Sequence, residues 1–311
     1  MGEDYPKTIL ELERRFATEE ACREYLAELR WPDGFVCPAC QGDSAWPASR
    51  GRMICRRCRH QTSVTAGTIF QDTRQPLVLW FRAIWYVTSQ KNGTSAANIQ
   101  RILGLGSYQT AWTWLHKLRR AMIRPGRDLL HGRVEVDETF VGGEDSHGGA
   151  WVDRKAVVVI AAEEDGPGIG RIRLASVPAP TQKHLHRFVQ ETIQPGSHVH
   201  TDGRHALLGL ASLGYKQKRT VLAKRKGKDA PTQLLPRVHR VASLLKRWLL
   251  GTHQGAVEAE HLAYYLDEFT FRFNRRTSRS RGKLFYRLLQ QAVQIFPTTY
   301  RDMVGGKNAN D

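Results

Sequence analysis

The chain has no apolar run approaching the roughly 18 residues a helix needs to cross a bilayer, so no membrane span is expected. Its first residues, MGEDYPKTILELERRF, lack the basic-then-apolar layout of a secretory leader, which points to a cytoplasmic protein. No internal repeat is present, which excludes a solenoid. Cysteine, at five in 311 residues, is too sparse for a disulfide-built scaffold. Acidic residues are in deficit: 30 Asp and Glu face 47 Lys and Arg, for a formal net charge of +17.

What is present is a globular composition, 41% hydrophobic and 25% charged, in a chain long enough for two domains or one domain with appendages. The charge excess is the footprint of a polyanion binder, with nucleic acid the leading partner; the alternative is a basic surface kept for solubility. Two stretches concentrate it. KQKRTVLAKRKGK (216–228) contains Lys224, Arg225 and Lys226, and RFNRRTSRSRGK (272–283) places Arg275 and Arg276 close to Phe273.

Four of the five cysteines form two CxxC pairs, Cys37 with Cys40 and Cys55 with Cys58. Two knuckles of two thiolates close a tetrahedral zinc site, so a zinc ribbon is expected, with His60 more readily a surface side chain than a ligand. Cys22 shares i, i+3, i+4, i+7 spacing with Tyr25, Leu26 and Leu29 and fits the core face of a helix begun at Thr18. Beyond the ribbon, residues 75–90 are expected to be helical from Pro76. GTSAANIQRIL, GLGS and YQTAWTWLHKLRRAM then outline a helix, a glycine turn and a longer helix. Either this is a plain helical hairpin, or it is a helix-turn-helix whose Ala111, Leu115, Leu118 and Met122 face the core while Gln109, Thr113, His116, Lys117 and Arg120 meet DNA.

From about residue 131 the pattern changes to strand-length apolar runs: GRVEVDETFVGG, RKAVVVIAAEE and GRIRLASVPA, then a helix in TQKHLHRFVQETI, a short run SHVHTDG and a helix in RHALLGLASLG. This order suits a layered α/β domain. Asp137 and Asp202 each stand at the end of a strand candidate, followed by turn-forming glycine. Two convergent carboxylates in a phosphate-gripping protein suit a hard divalent cation, Mg²⁺ or Mn²⁺, and so in-line phosphoryl displacement. Taken singly, an Asp such as Asp202 in a turn is more often an Asx cap.

VEVDETFVGG, HTDG and HRVASLLKRWLLGTHQGA with LDEFTFRFNRR, behind a CxxC…CxxC ribbon, resemble the insertion-sequence DDE transposases that join a zinc ribbon to a ribonuclease H-like core of the ISXO2-like kind. The resemblance spans about residues 15–290. It implies an α/β fold, a ribonuclease H-like mixed sheet with flanking helices, preceded by a zinc ribbon and a helix-turn-helix-like region. It implies cleavage at the terminal inverted repeats of a mobile element and joining of the freed 3′-hydroxyls to target DNA, with structural Zn²⁺ and catalytic Mg²⁺ or Mn²⁺.

Carried over, Asp137 and Asp202 match the first two acids of the triad. Members with a full triad place Glu seven residues before a Lys; here, seven before Lys246, stands His239. His239 is the expected third metal ligand, the alternative being a helix-start histidine that meets only solvent or phosphate. Lys246, two turns on, is expected at a phosphate or as an ordinary exposed lysine. Glu138 alternates to the other strand face and is assigned no metal. Glu258, Glu260, Asp267 and Glu268, in helical settings, suit solvated or ion-paired roles.

The expected domains are a helical lead (1–30), the ribbon (31–70), the helix-turn-helix-like region (71–125), the catalytic domain (126–290) and a partly disordered tail (291–311). Expected partners are double-stranded DNA and a second copy of the chain, with location at the bacterial nucleoid. Two other readings stand beside the transposase: a DNA-binding descendant that has lost catalysis, and an RNA-processing nuclease of the same core. The second is disfavoured by the lack of an RRM-type aromatic motif.

Overall fold

Two capped helices open the chain. Thr8 and Thr18 accept backbone N–H groups from Glu11 and Ala21, starting α1 (Ile9–Arg15) and α2 (Glu19–Arg30). Cys22, Tyr25, Leu26 and Leu29 of α2 are all buried, as their spacing predicts. The computed structural model describes residues 3–124, 126–142, 144–145, 152–153, 155–220, 234–255 and 257–304, with the backbone alone at 50, 144, 145, 152 and 153. Among the described residues no helix is long and apolar enough to cross a membrane.

Three short antiparallel strands follow, β1 (Ala45–Ala48), β2 (Arg52–Cys55) and β3 (Gln61–Ser63), in the order β1-β2-β3. Three helices come next. α3 (Leu77–Ser89) starts at Pro76. α4 (Ala96–Leu103) is capped by Ser95 and ended by Gly104 at φ +64°, and α5 (Tyr108–Ala121) is capped by Ser107. Trp80 of α3 stacks on Trp114 of α5 at 3.8 Å between ring centroids.

The described residues up to Arg124, with those from Ser278 onward, form one compact unit; those between form a second. The sequence expectation ran the catalytic domain on to residue 290. Phe285, however, packs against Phe16, Phe81 and Trp85, so the helix Arg281–Ala292 that carries it belongs with the first unit.

The second unit is built on a five-stranded mixed sheet. Its strands are β4 (Arg133–Val141), β7 (Ala156–Asp165), β8 (Gly168–Val177), β9 (His198–Asp202) and β10 (Lys216–Thr220), with a two-residue ribbon, β5 (Glu144–Asp145) against β6 (Val152–Asp153), between the first two. The order is β10-β9-β4-β7-β8; β10, β9 and β4 run parallel, and β7 and β8 pair antiparallel. In chain order the sheet reads third, second, first, fourth, fifth strand, the ribonuclease H-like arrangement.

β7 shows why the sheet is sandwiched. Val158, Ile160 and Ala162 face a core with α7 (Pro236–His253) and α8 (Leu262–Phe273). Val159 and Ala161 face a second core with α6 (Gln182–Thr192). A strand covered on both faces needs an unbroken apolar run, which VVVIAA supplies. α9 (Arg281–Ala292) and α10 (Tyr300–Val304) close the chain; the tail from 305 lies outside the described residues.

Two sequence expectations change. RHALLGLASLG forms two 3₁₀ turns, His205–Leu207 and Leu210–Leu213, because Gly209 and Gly214 at φ +83° and +88° break any helix. Part of the first basic stretch is strand β10, its charged residues facing out from a sheet edge.

At the other edge, β8, a side chain pairs in place of a strand. Asn274 accepts a hydrogen bond from the Ile172 N–H (2.7 Å) and donates to the Ile172 carbonyl (3.1 Å), as a neighbouring strand would. Asn274→Ala takes the acceptor from the Ile172 N–H and leaves the Ile172 carbonyl to Arg173 Nη1 alone (2.9 Å), and should cost about 1–3 kcal/mol, read as a lower urea midpoint at unchanged slope. An unchanged midpoint would contradict this role.

Candidate functional site

The acids meet because of register. β4 and β9 run parallel with Val136 opposite Thr201, so Asp137 and Asp202 follow side by side; Thr220 lies opposite Asp202 on β10. Asp137, Glu138, Asp202, Arg204, Thr220, Leu234, Leu235 and His239 line one hollow of about 270 Å³.

His239 reaches the hollow through an anchor two residues before Asp137. Glu135 is 1% exposed, and its carboxylate accepts the backbone N–H groups of Arg237 (2.8 Å) and Val238 (3.0 Å) in the first turn of α7. The Arg237 guanidinium closes on the same carboxylate at 2.9 Å. Strand alternation gives Glu135 and Asp137 the same face, so the contact that seats α7 on Glu135 brings His239 Nε2 to 3.8 Å from Asp137 Oδ2.

The electrostatics are those of crowded acids. Burial first, and the charge of Asp202 second, push Asp137 up to about 6. Glu138 is also raised, chiefly by burial. Arg204 opposes this crowding: its guanidinium pairs with Glu138 and stands 3.5 Å from Asp202 Oδ2, while its backbone N–H donates to Asp202 Oδ1 at 3.0 Å. Glu138, expected on the far face, lines the same hollow from mid-β4, just past the point where the pairing with β9 ends. Hard oxygen donors brought together against their own repulsion, with an imidazole beside them, fit a divalent cation such as Mg²⁺ or Mn²⁺.

The cysteines form the other centre. The four Sγ atoms lie within 4.8 Å of one another, with Cys37 to Cys58 and Cys40 to Cys55 at 3.6 Å. A tetrahedron of ~2.3 Å Zn–S bonds has edges of ~3.8 Å, so the four sulfurs fit zinc. The two knuckles repeat each other: Gln41 and Arg59, each just past its CxxC, take left-handed backbone at φ +59° and +61°. Each donates its N–H to the first cysteine of its pair at 3.0 Å. His60 is exposed, as expected.

The expected DNA contacts divide. Gln109 is exposed near the start of α5, and Lys117 and Arg120 are half-buried, burial lowering the Lys117 pKa. His116 does not face outward: it is fully buried against Trp112, 3.9 Å between rings, with Arg119 Nη1 at 3.3 Å, because α5 packs on more of its circumference than one apolar stripe. Arg276 is tied to the β8 edge, donating to the carbonyls of Ile169, Gly170 and Phe273, and Arg275 lies over Phe271 at 4.1 Å. Their guanidiniums serve the fold. Lys224, Arg225 and Lys226 lie outside the described residues. Lys246 is exposed on α7. Sequence reasoning missed Glu135, Arg204 and Arg237; the signal for Glu135 was an acid set between two valines in a core strand.

Two consequences are measurable. A carboxyl whose folded pKa is raised contributes stability that is complete below its ordinary value of 3.8 and lost as pH rises through about 6. Without divalent metal, Asp137→Asn should therefore stabilise the chain by on the order of 2–3 kcal/mol near pH 7.5, the gain vanishing near pH 4; equal denaturation midpoints at the higher pH would refute it. Chelating zinc should abolish hydrogen-exchange protection across the ribbon while β4 and β7 keep theirs, since the ribbon lacks a core of its own; retained ribbon protection would argue against a structural metal.

Comparison with known proteins places two transposase domains in the chain. The ISXO2-like transposase domain model matches residues 129–274, and the transposase zinc-ribbon domain model matches residues 17–61. An uncharacterized protein in transposable element ISH50 of Halobacterium salinarum is 25% identical over 291 residues, covering 87% of this chain and 95% of its own. A chain from a simian T-cell lymphotropic virus intasome in complex with a PP2A regulatory subunit covers 65% of this chain and 74% of its own, at TM-score 0.31 and 13% identity, too slight a likeness to carry argument. The chain thus carries, in order, a transposase zinc-ribbon domain at residues 17–61 and an ISXO2-like transposase domain at residues 129–274.

Proposed function

We propose that the chain cuts DNA at the terminal inverted repeats of its element and joins the freed 3′-hydroxyls to target DNA. The observation that supports this most is the convergence of Asp137 and Asp202, from adjacent parallel strands, on one hollow. Asp137, Asp202 and, as third ligand, His239 would hold the divalent ions. When bound, such ions activate an attacking hydroxyl and stabilise the oxygen that leaves phosphorus in line.

The chain's own residues set the geometry for this. Glu135 fixes the start of α7 and with it the approach of His239 to Asp137. Arg204 balances the acids, and with a cation held at Asp202 its guanidinium would be available to a phosphate. Lys246, exposed two turns beyond His239, would meet a phosphate of the bound strand, and Gln109, Lys117 and Arg120 would meet the duplex along α5. Two element ends must be held at once, so a homodimer or larger assembly on DNA belongs to this reading.

A second reading, a DNA-binding descendant without catalysis, is favoured by one observation: His239 stands where full-triad members carry Glu. Incubating pre-cut element ends and target DNA with Mn²⁺ separates the two. Joined product from the parent, and a loss of at least a hundredfold in Asp137→Asn and Asp202→Asn, is expected; no product from the parent favours the second reading. Because imidazole is a softer ligand than carboxylate, turnover should be higher with Mn²⁺ than with Mg²⁺, and a clear Mg²⁺ preference would remove His239 from the metal site.

A further inference from the structure

The two knuckles of the ribbon share a backbone but not a charge. The first reads CPACQGD, with no base; the second reads CRRCRH, with Arg56, Arg57 and Arg59. All three arginines are exposed, and among the described residues no acid or side-chain hydrogen bond holds any of them. Other arginines of this unit are committed: Arg30 donates to the carbonyls of Ser63 and Val64 at 2.9 Å, Arg23 pairs with Glu20 at 3.0 Å, and Arg52 reaches Gln61 at 3.3 Å.

What holds two of the three is an aromatic ring. Trp46 of β1 is 38% exposed, with the guanidinium carbon of Arg59 at 4.5 Å and that of Arg56 at 5.4 Å from its ring centroid. Arg59 occupies the left-handed backbone position of its knuckle, at φ +61°, a conformation costing an ordinary side chain about 1 kcal/mol. An arginine kept at that place, stacked on an exposed indole and lacking an acid, has its donors free for an anion.

We propose that Trp46, Arg56 and Arg59 form a phosphate clamp through which the zinc ribbon grips the DNA backbone. This rests on the reading of the chain as a DNA-processing transposase and adds the face of the ribbon and the mode of contact. Stacking on the indole fixes the plane of each guanidinium and leaves its N–H fork outward, the geometry that takes phosphate oxygens in pairs. Because the arginines are held before DNA arrives, less side-chain freedom is lost on binding. Contacts to phosphate carry no base information, so the clamp positions DNA without reading its sequence.

The test uses the full zinc-loaded chain and a mixed-sequence DNA duplex, with affinity followed by fluorescence anisotropy over a range of salt. Arg59→Gln and Arg56→Gln should each make the plot of log affinity against log salt shallower by about 0.9, as expected when one fewer phosphate is neutralised. Trp46→Ala keeps the charge and frees the arginines, so its slope should stay as in the parent while affinity falls several-fold, and Trp46→Phe should restore most of the loss. Unchanged zinc content in every variant separates these effects from unfolding of the ribbon. The clamp is overturned if both arginine variants keep the parental slope, or if Trp46→Ala binds as tightly as the parent. Should that happen while strand joining persists, the clamp alone fails; a parent with no salt-dependent DNA affinity would sink the clamp and the transposase reading together.

Discussion

A carboxylate buried in the wall of the sheet organises the second unit. Glu135 stands where a core strand would carry a valine, and its burial is tolerable only because two N–H groups of the α7 first turn and the Arg237 guanidinium close on it. That contact sets where α7 begins and the height at which it meets β4. Since strand side chains on one face recur every second residue, the helix start that satisfies Glu135 cannot avoid presenting His239 to Asp137. A structural bond of the core and the geometry of the hollow are thus one interaction, and substitution at Glu135 would disturb both.

The hollow carries a cost that the fold does not offset from within. Asp137 is crowded beside Asp202 and Glu138 in partly buried surroundings, which raises its pKa, and among the described residues the Arg204 guanidinium is the one that pairs with these acids. Natural sequences retain such crowding at sites that bind something, because the ligand supplies the missing charge. The ribbon follows the same logic in reverse: among the described residues no acid pairs with Arg56, Arg57 or Arg59, and the complementary charge comes from outside. In a chain of net charge +17, the acids gathered at the hollow suit a cation and the exposed arginines of the second knuckle suit a polyanion.

Much of this was legible in the sequence alone. The alternation and apolar runs of β4, β7 and β8, the spacing on α6 and α7 and the paired CxxC motifs each impose one geometry. Asp202 ends its strand as the sequence suggests, whereas Asp137 stands midway along β4, and their adjacency depends on parallel register between strands far apart in sequence, which local pattern does not encode. β10 escaped because an edge strand with lysines turned to solvent has the composition of a loop. His116 was misplaced because one apolar stripe was assumed on a helix that packs on two sides, and Arg276 because a basic run near a sheet edge looks the same whether it serves phosphate or open carbonyls.

The central claim is that the side chains of Asp137 and Asp202 jointly cage a divalent cation. Its most direct test is an anomalous difference map from crystals of the full chain soaked in Mn²⁺. The account predicts a peak within about 2.5 Å of an oxygen from each of the two carboxylates, with the Arg204 guanidinium withdrawn from Asp202. A map with no peak there, or with manganese bound only at sites that touch neither acid, would contradict it.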